Sequence, residues 1–286
     1  MELGTFGIWS GLLRSAPEQD AVDAAKEIEG LGFTAAWLSS GEVGQLERVR
    51  ALVAGTSTLR VATGILNVYR ESDPEHTADV FHQIDTAYPD RFLLGIGVGH
   101  PQALEPGQYG PPLEIMRRYL DGLDRAAHPV PGERRALAAL RPGMLRLSRD
   151  RSLGAHPYLT TPEHTARARE ILGPHALLAP EQGVVLETDA ARARATARAN
   201  LEHYLELTNY LNSFKWFGFE DEDFENGGSD RLIDALVAWG DIEKIAGRLR
   251  AHLDAGATHV TIQVLTDTPR VFPVAQWKAL AGALTG

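Results

Sequence analysis

Histidine, arginine and glycine carry most of the chemistry open to this chain. It has ten histidines and no cysteine, which excludes thiolate nucleophiles, disulfides and Cys-ligated metals. Two histidines follow strand-like runs directly. His100 closes "RFLLGIGVGH", and His156 lies in "GAHPY" with Tyr158 two residues on. A histidine so placed can move a proton near neutral pH. His100 is the first catalytic candidate and His156 the second, although a lone histidine is more often structural. The histidine spacings contain no H-E-x-x-H and no other known ligand arrangement, so no metal is expected. The G-x-S-x-G elbow of serine hydrolases is also missing.

The glycines before His100 pose a second question. Gly95, Gly97 and Gly99 alternate, whereas a dinucleotide fingerprint reads G-x-G-x-x-G and opens straight into a helix. Here a loop rich in Pro and Gly follows, so the dinucleotide reading fails on spacing and on context. Alternate glycines at a strand end strip side chains from one face. Either a flat ring lies against the bare backbone, or the strand turns a tightly packed barrel corner. Gly64, inside "VATGILNVYRESDP", marks a second place of close backbone approach.

The elements that must position these residues alternate. Strands are expected at Leu3–Ser10, Thr34–Ser40, Leu59–Val68, Phe92–Gly99, Arg134–Leu140, Gly154–Thr161, within His175–Leu186, and at Ala257–Leu265. Helices are expected at Ala16–Gly32, about Gly44–Gly55, Pro74–Tyr88 with Asp73 as N-cap, Pro111–Ala127, Pro142–Leu153, from Thr161, at about Asp189–Leu211, and over Asp241–Gly256. Strand–helix alternation implies parallel βαβ units. Eight units in 286 residues fit an α/β chain folded as a (β/α)8 TIM barrel, read as one domain over 1–286. Between strands seven and eight, Thr208–Asp230 reads as an insertion on the side of the barrel where active sites lie. Its aromatics (Tyr210, Phe214, Trp216, Phe217, Phe219) adjoin an acidic run, Glu220–Glu225, expected to be a solvated loop. Lys215 and Trp216 in this insertion, and Trp9 at the end of strand one, are candidate substrate contacts.

A net charge of −10 argues against nucleic acid as the main partner, but an anionic cofactor would still need a local basic pocket. The start, "MELGTFGIWSG", has neither a basic nor an apolar leader region, and no run approaches a membrane span. A cytoplasmic protein that contacts no membrane is expected.

"ATGILNV", a Pro-started helix and then "YPDRFLLGIGVGH" together resemble the luciferase-like monooxygenase superfamily. More narrowly, with "TPEHTARAR", "LLAPEQ" and "GGSDRLIDALVAWGDIEKIAGRLRAHLDAGATHVTIQVL", the chain resembles an actinobacterial-type branch of its deazaflavin (coenzyme F420)-dependent oxidoreductases. The resemblance implies a cofactor across the C-terminal end of the barrel, backed by a non-proline cis peptide at Gly64–Ile65. It implies that Asn67 reaches the polar edge of the ring, and that Gly97, Val98 and Gly99 line it. In "LRPGMLRLSRD", Arg141, Gly143 and Met144 would hold the cofactor phosphate at a helix start, where free N–H groups and the helix dipole favour an anion. Sugar-phosphate dehydrogenase relatives carry a glutamate at the place of His100 and an Asp-His pair where this chain has Ser39-Ser40, so their sugar chemistry is not carried over. The implied activity is hydride transfer between F420 and a small organic substrate, with Ser39 and Tyr158 in the substrate pocket. The alternatives are an FMN-dependent monooxygenase of the same fold and a catalytically degenerate cofactor-binding protein. By analogy with the superfamily, a homodimer is expected.

Overall fold

A computed structural model describes residues 1–39, 45–70, 72–100 and 110–285. Ser40, the expected end of strand two, lies outside the described residues, as does Gly44 at the expected start of the next helix.

The chain begins with β1 (Phe6–Ser10), α1 (Leu12–Ser15), α2 (Glu18–Gly30), β2 (Ala35–Leu38) and α3 (Gln45–Gly55). Next come β3 (Arg60–Thr63), β4 (Leu66–Asn67), α4 (Pro74–Ala87), β5 (Phe92–Gly97), α5 (Pro112–Arg125), β6 (Arg135–Leu137), α6 (Pro142–Arg151), β7 (Gly154–Ala155) and α7 (Pro162–Leu172). The last part holds β8 (Leu177–Leu178), β9 (Glu181–Val185), α8 (Ala190–Leu201), α9 (Thr208–Trp216), α10 (Asp230–Leu236), β10 (Val237–Trp239), α11 (Ile242–Asp254), β11 (Val260–Val264) and α12 (Val274–Leu284). Local chemistry marks several helix starts. Asp73 accepts from the Glu75 N–H ahead of Pro74, and Thr161 accepts from the His164 N–H ahead of Pro162. Among the described residues no helix is long and apolar enough to cross a membrane.

All strand pairs are parallel. The sheet runs β11, β1, β2, β3, β5, β6, β7, β8 in space, with β9 on the far side of β11. Only Ala179 and Pro180 separate β8 from β9, so one stretch of chain pairs with β7 at its start and with β11 at its end. That stretch closes the barrel. Eight positions result, with β3/β4 and β8/β9 each counting as one. β10 adds to β9 outside the circle and was not expected. "VAW" continues the apolar composition of α10, and only pairing to β9 makes it a strand.

Side chains alternate across the wall, as the pleat requires. Ala35, Trp37, Ala62, Leu93 and Ala136 fill the barrel interior. Ala36, Leu38, Val61, Phe92 and Leu94 face the helices. The expected strand Leu59–Val68 is split at Gly64–Ile65, whose peptide is cis. At the split the Thr63 hydroxyl donates to the Gly95 carbonyl (2.7 Å) and accepts from the Gly95 N–H (2.8 Å).

The expected helix Asp189–Leu211 is also broken. After Leu201 a 3-10 turn spans Glu202–Glu206, and Leu207 is extended before α9. The helical period runs on through this stretch, but tertiary contacts of Tyr204 override it. The acidic run is a 3-10 segment, Asp221–Gly227, rather than a bare loop. Asp223 there is nearly buried and ion-paired with Arg231.

Two glycine substitutions separate packing from propensity. A Cβ on Gly95 would lie 1.8 Å from the Thr63 carbonyl oxygen, so Gly95→Ala should cost roughly 3 kcal/mol through forced backbone movement. Gly247, exposed on α11 with nothing within 4 Å, should give a gain of about 0.5–1 kcal/mol as alanine. Urea midpoints of the two variants check both signs.

Candidate active site

The C-terminal strand ends enclose a cavity of about 930 Å³, within the range of small-molecule and cofactor sites. Trp9, Ser39, Gly64, Ile65, Asn67, Gly97, Val98, Gly99, His100, Arg141, Gly143, Met144, His156 and Tyr158 all line it. They come from the C-terminal ends of six barrel positions, β1, β2, β3/β4, β5, β6 and β7, the arrangement by which a barrel gathers distant residues at one face. Lys215 and Trp216 are the exceptions. Lys215 pairs with Asp221 (2.5 Å), and Trp216 packs edge-on against His164. Both belong to the far end of α9, and neither is among the residues that line the cavity. The insertion covers the cavity only through its first residues, Asn209 and Tyr210, helped by His203 and Tyr204 of the preceding turn.

The floor is built from close approach. The Trp9 indole N–H donates to the Gly64 carbonyl (3.2 Å). A Cβ on Gly64 would stand 2.8 Å from Trp9 Nε1 and 3.1 Å from His156 Nε2. Gly97 is bare because the Ile65 side chain occupies that space, 2.6 Å from its missing Cβ. Gly99 has φ +74°, with the Asn67 amide over it. Asn67 Oδ1 accepts from the Tyr69 N–H (2.9 Å), which turns the chain after β4. The three alternate glycines therefore differ in role. Gly95 is a packed corner, while Gly97 and Gly99 border the cavity.

His156 is fully buried and stacked on Trp37 (4.2 Å between ring centres). Its Nδ1–H donates to the Ala179 carbonyl (2.7 Å), which leaves Nε2 as an acceptor with no partner among the described residues. Burial pulls its pKa down to about 4. His100 is partly exposed, and its buried Nδ1 has no partner among the described residues. Burial, and then nearby His203, lower its pKa. Its ring lies 5.3 Å from that of Tyr210.

An aromatic group completes the wall, and of its members Tyr204 was missed by sequence reasoning. Tyr158 donates to Gln263 Oε1 (2.8 Å) and accepts from the Tyr204 hydroxyl (3.1 Å). Tyr158 packs on Trp9 (5.3 Å), and Tyr204 on Tyr210 (5.2 Å). Tyr204 was hidden inside an apparent helix. Beside these phenols Glu181 is buried. Its Oε2 accepts from the Leu159 N–H (3.1 Å) and its Oε1 has no partner. Burial raises its pKa to about 8. Its place in "LLAPEQ", a carboxylate directly after an apolar run and at the head of a strand, was the available signal. At the opposite edge α6 begins without a side-chain cap, and among the described residues nothing accepts from the N–H groups of Gly143 or Met144. Among the described residues three charged side chains line the cavity, Arg14, Arg70 and Arg141, and all are positive.

The buried ionisable groups set a pH dependence of stability. His156, His164 and His259 are lowered to about 4 and His252 to about 3, each chiefly by burial. The unfolded chain binds protons on these rings below its ordinary histidine pKa, and the folded chain does not. Stability present above about pH 6.5 is therefore lost toward pH 4, at several kcal/mol per pH unit. Glu181 works the other way. The folded chain keeps its proton, so its contribution is full below the ordinary carboxyl pKa and is lost as pH rises toward 8. Denaturation midpoints of Glu181→Gln against the unchanged protein should show a stabilisation that grows between about pH 4.5 and about pH 8. A constant difference would mean Glu181 is ionised in the folded state.

A family model described as luciferase-like monooxygenase matches residues 1–259. No curated protein matches the chain. Among solved structures, an F420-dependent secondary alcohol dehydrogenase in complex with an F420–acetone adduct superposes with a TM-score of 0.71 at 14% identity, covering 96% of this chain and 99% of that one. The coenzyme F420-dependent tetrahydromethanopterin reductase of Methanopyrus kandleri gives 0.68 at 16% identity, covering 100% and 98%. The FMN-bound oxygenating constituent of 3,6-diketocamphane monooxygenase from Pseudomonas putida, a type II Baeyer–Villiger enzyme, gives 0.67 at 15% identity, covering 97% and 96%. At these identities the likeness establishes the fold.

Proposed function

Since this chain belongs to the luciferase-like monooxygenase family of oxidoreductases, we propose that it transfers a hydride between coenzyme F420 and a small organic substrate. The observation that carries the reading is a cavity floor at Gly64, Gly97 and Gly99, where missing Cβ atoms let Trp9, His156, Ile65 and Asn67 close in, lined also by a histidine whose buried Nδ1 has no partner among the described residues. Two of the structural neighbours are F420-dependent by name, which supports the same choice.

The residues fit such a cofactor. The cavity has room for a tricyclic ring. The free N–H groups of Gly143 and Met144, with Arg141 beside them, suit a phosphate at the start of α6. His156 Nε2 offers an acceptor to an N–H on the ring edge. When bound, the deazaflavin supplies the hydride chemistry, and the protein supplies orientation and proton handling. His100, held neutral by burial, accepts the proton from a substrate hydroxyl during oxidation and returns it during reduction. Trp9, Tyr158, Tyr204 and Tyr210 wall off water and orient the substrate.

Parallel fluorescence titrations with F420 and FMN test the cofactor. Micromolar or tighter binding of F420 alone is expected, and preference for FMN would replace hydride transfer by flavin monooxygenation. His100→Ala should leave F420 affinity nearly intact and lower turnover by about 10²-fold or more. The acidic limb of kcat/KM should lie below pH 6.5, because burial lowers the His100 pKa. Unchanged turnover in the variant would remove His100 from the reaction.

A further inference from the structure

The cavity's charge and the order of its strands together reach beyond the cofactor. The chain as a whole carries −10, yet among the described residues no aspartate or glutamate lines the cavity, and Arg14, Arg70 and Arg141 do. Around the barrel the order is β1, β2, β3/β4, β5, β6, β7, β8/β9, β11. β6 is thus four places from β1 in either direction. Arg141, directly after β6, and Arg14, on α1 directly after β1, stand on opposite sides of the mouth. The floor at Gly64–Ile65 lies at β3/β4, two places from each. A cofactor with its ring on that floor and its phosphate at Arg141 leaves the Arg14 side open.

Arg14 is set up for a ligand. Its Nε donates to Ser39 Oγ (3.3 Å), which orients the guanidinium. Its two terminal nitrogens form no hydrogen bond or ion pair among the described residues. A guanidinium held by Nε presents a planar pair of donors, the geometry that binds a carboxylate or phosphate through two parallel bonds. Next to it, Trp9 packs against Tyr158, and Tyr158 against Tyr204. These rings suit a flat or apolar body.

We infer that the substrate is a small organic acid, its aromatic or apolar body among Trp9, Tyr158 and Tyr204 and its carboxylate or phosphate on Arg14. Arg14 is then the residue that selects anionic over neutral substrates. The inference rests on the reading above in one respect, that the cofactor takes the Arg141 side. The same anion chemistry could come from an acidic tail of the cofactor, and the test separates the two sources.

The test is calorimetric titration of the full chain with benzoate and with its neutral analogue benzamide, each with and without saturating F420. Benzoate should bind about ten-fold more tightly than benzamide in both states. Arg14→Gln should abolish that difference by weakening benzoate alone. Arg14→Lys, which keeps the charge and loses the fork, should retain part of it, and Arg141→Gln should retain all of it. The inference is overturned if benzoate fails to bind, if the two probes bind equally, if the preference survives in Arg14→Gln, or if F420 expels benzoate. The last result would assign Arg14 to the cofactor. Failure of F420 to bind, with the benzoate preference intact, would sink the hydride-transfer reading and leave the acid site standing.

Discussion

An eight-stranded barrel has to be filled, and the fully buried indole of Trp37 is the piece on which the filling turns. One face stacks on His156, and its N–H reaches His259 Nε2 (3.1 Å). His259 can accept there because its own Nδ1–H is given to the Gly4 carbonyl (2.8 Å). The indole therefore sets two imidazole orientations at once. His156, fixed below by Trp37 and sideways by the Ala179 carbonyl, has one direction left for its free nitrogen, toward Gly64. The height of the Trp37 ring is in effect the height of the cavity floor.

From this follows a division of the site by electrostatics. The interior beneath the floor holds His156, His259 and Glu181 without a countercharge, and burial keeps each in its uncharged form at neutral pH. Among the described residues the cavity lining carries positive charge alone, at Arg14, Arg70 and Arg141. Neutral groups that accept or hold protons lie under the place of reaction, and fixed charges stand where anionic ends of ligands can reach them. An acidic surface elsewhere is compatible with this, because a partly enclosed positive site keeps its local potential whatever the net charge.

The glycines serve the same steric logic in different ways. Gly95 yields to a backbone oxygen of the neighbouring strand, Gly97 to the Ile65 side chain, and Gly64 to Trp9 and His156. Only at Gly99 is positive φ the reason. Each omission lets another group come closer than a methyl would allow, and their sum is a floor in which strand backbone and neighbouring side chains pack closely.

The alternating pattern of strands and helices, with caps such as Asp73 and Thr161, was legible in the sequence, because period and capping are local properties of the chain. So were the strand-end residues His100, His156 and Tyr158, since a barrel brings all its C-terminal strand ends to one face. Motif likeness added Gly64, Asn67 and the Arg141–Met144 junction, and these too line the cavity. The break of the long helix at Glu202 and the strand β10 were beyond it, for each depends on a partner far along the chain. Arg14 and Glu181 were unmarked by spacing, and Tyr204 was concealed in a helical period. What singles them out is a cavity wall, an unpaired buried oxygen and a hydroxyl pair across 46 residues. Lys215 and Trp216 show the converse, being near the site in sequence and not among the residues that line the cavity. Local sequence determined which segments are regular and where the barrel's mouth would be. Tertiary structure decided which side chains face that mouth and which lose their charge, because burial and orientation arise only when distant strands are brought side by side.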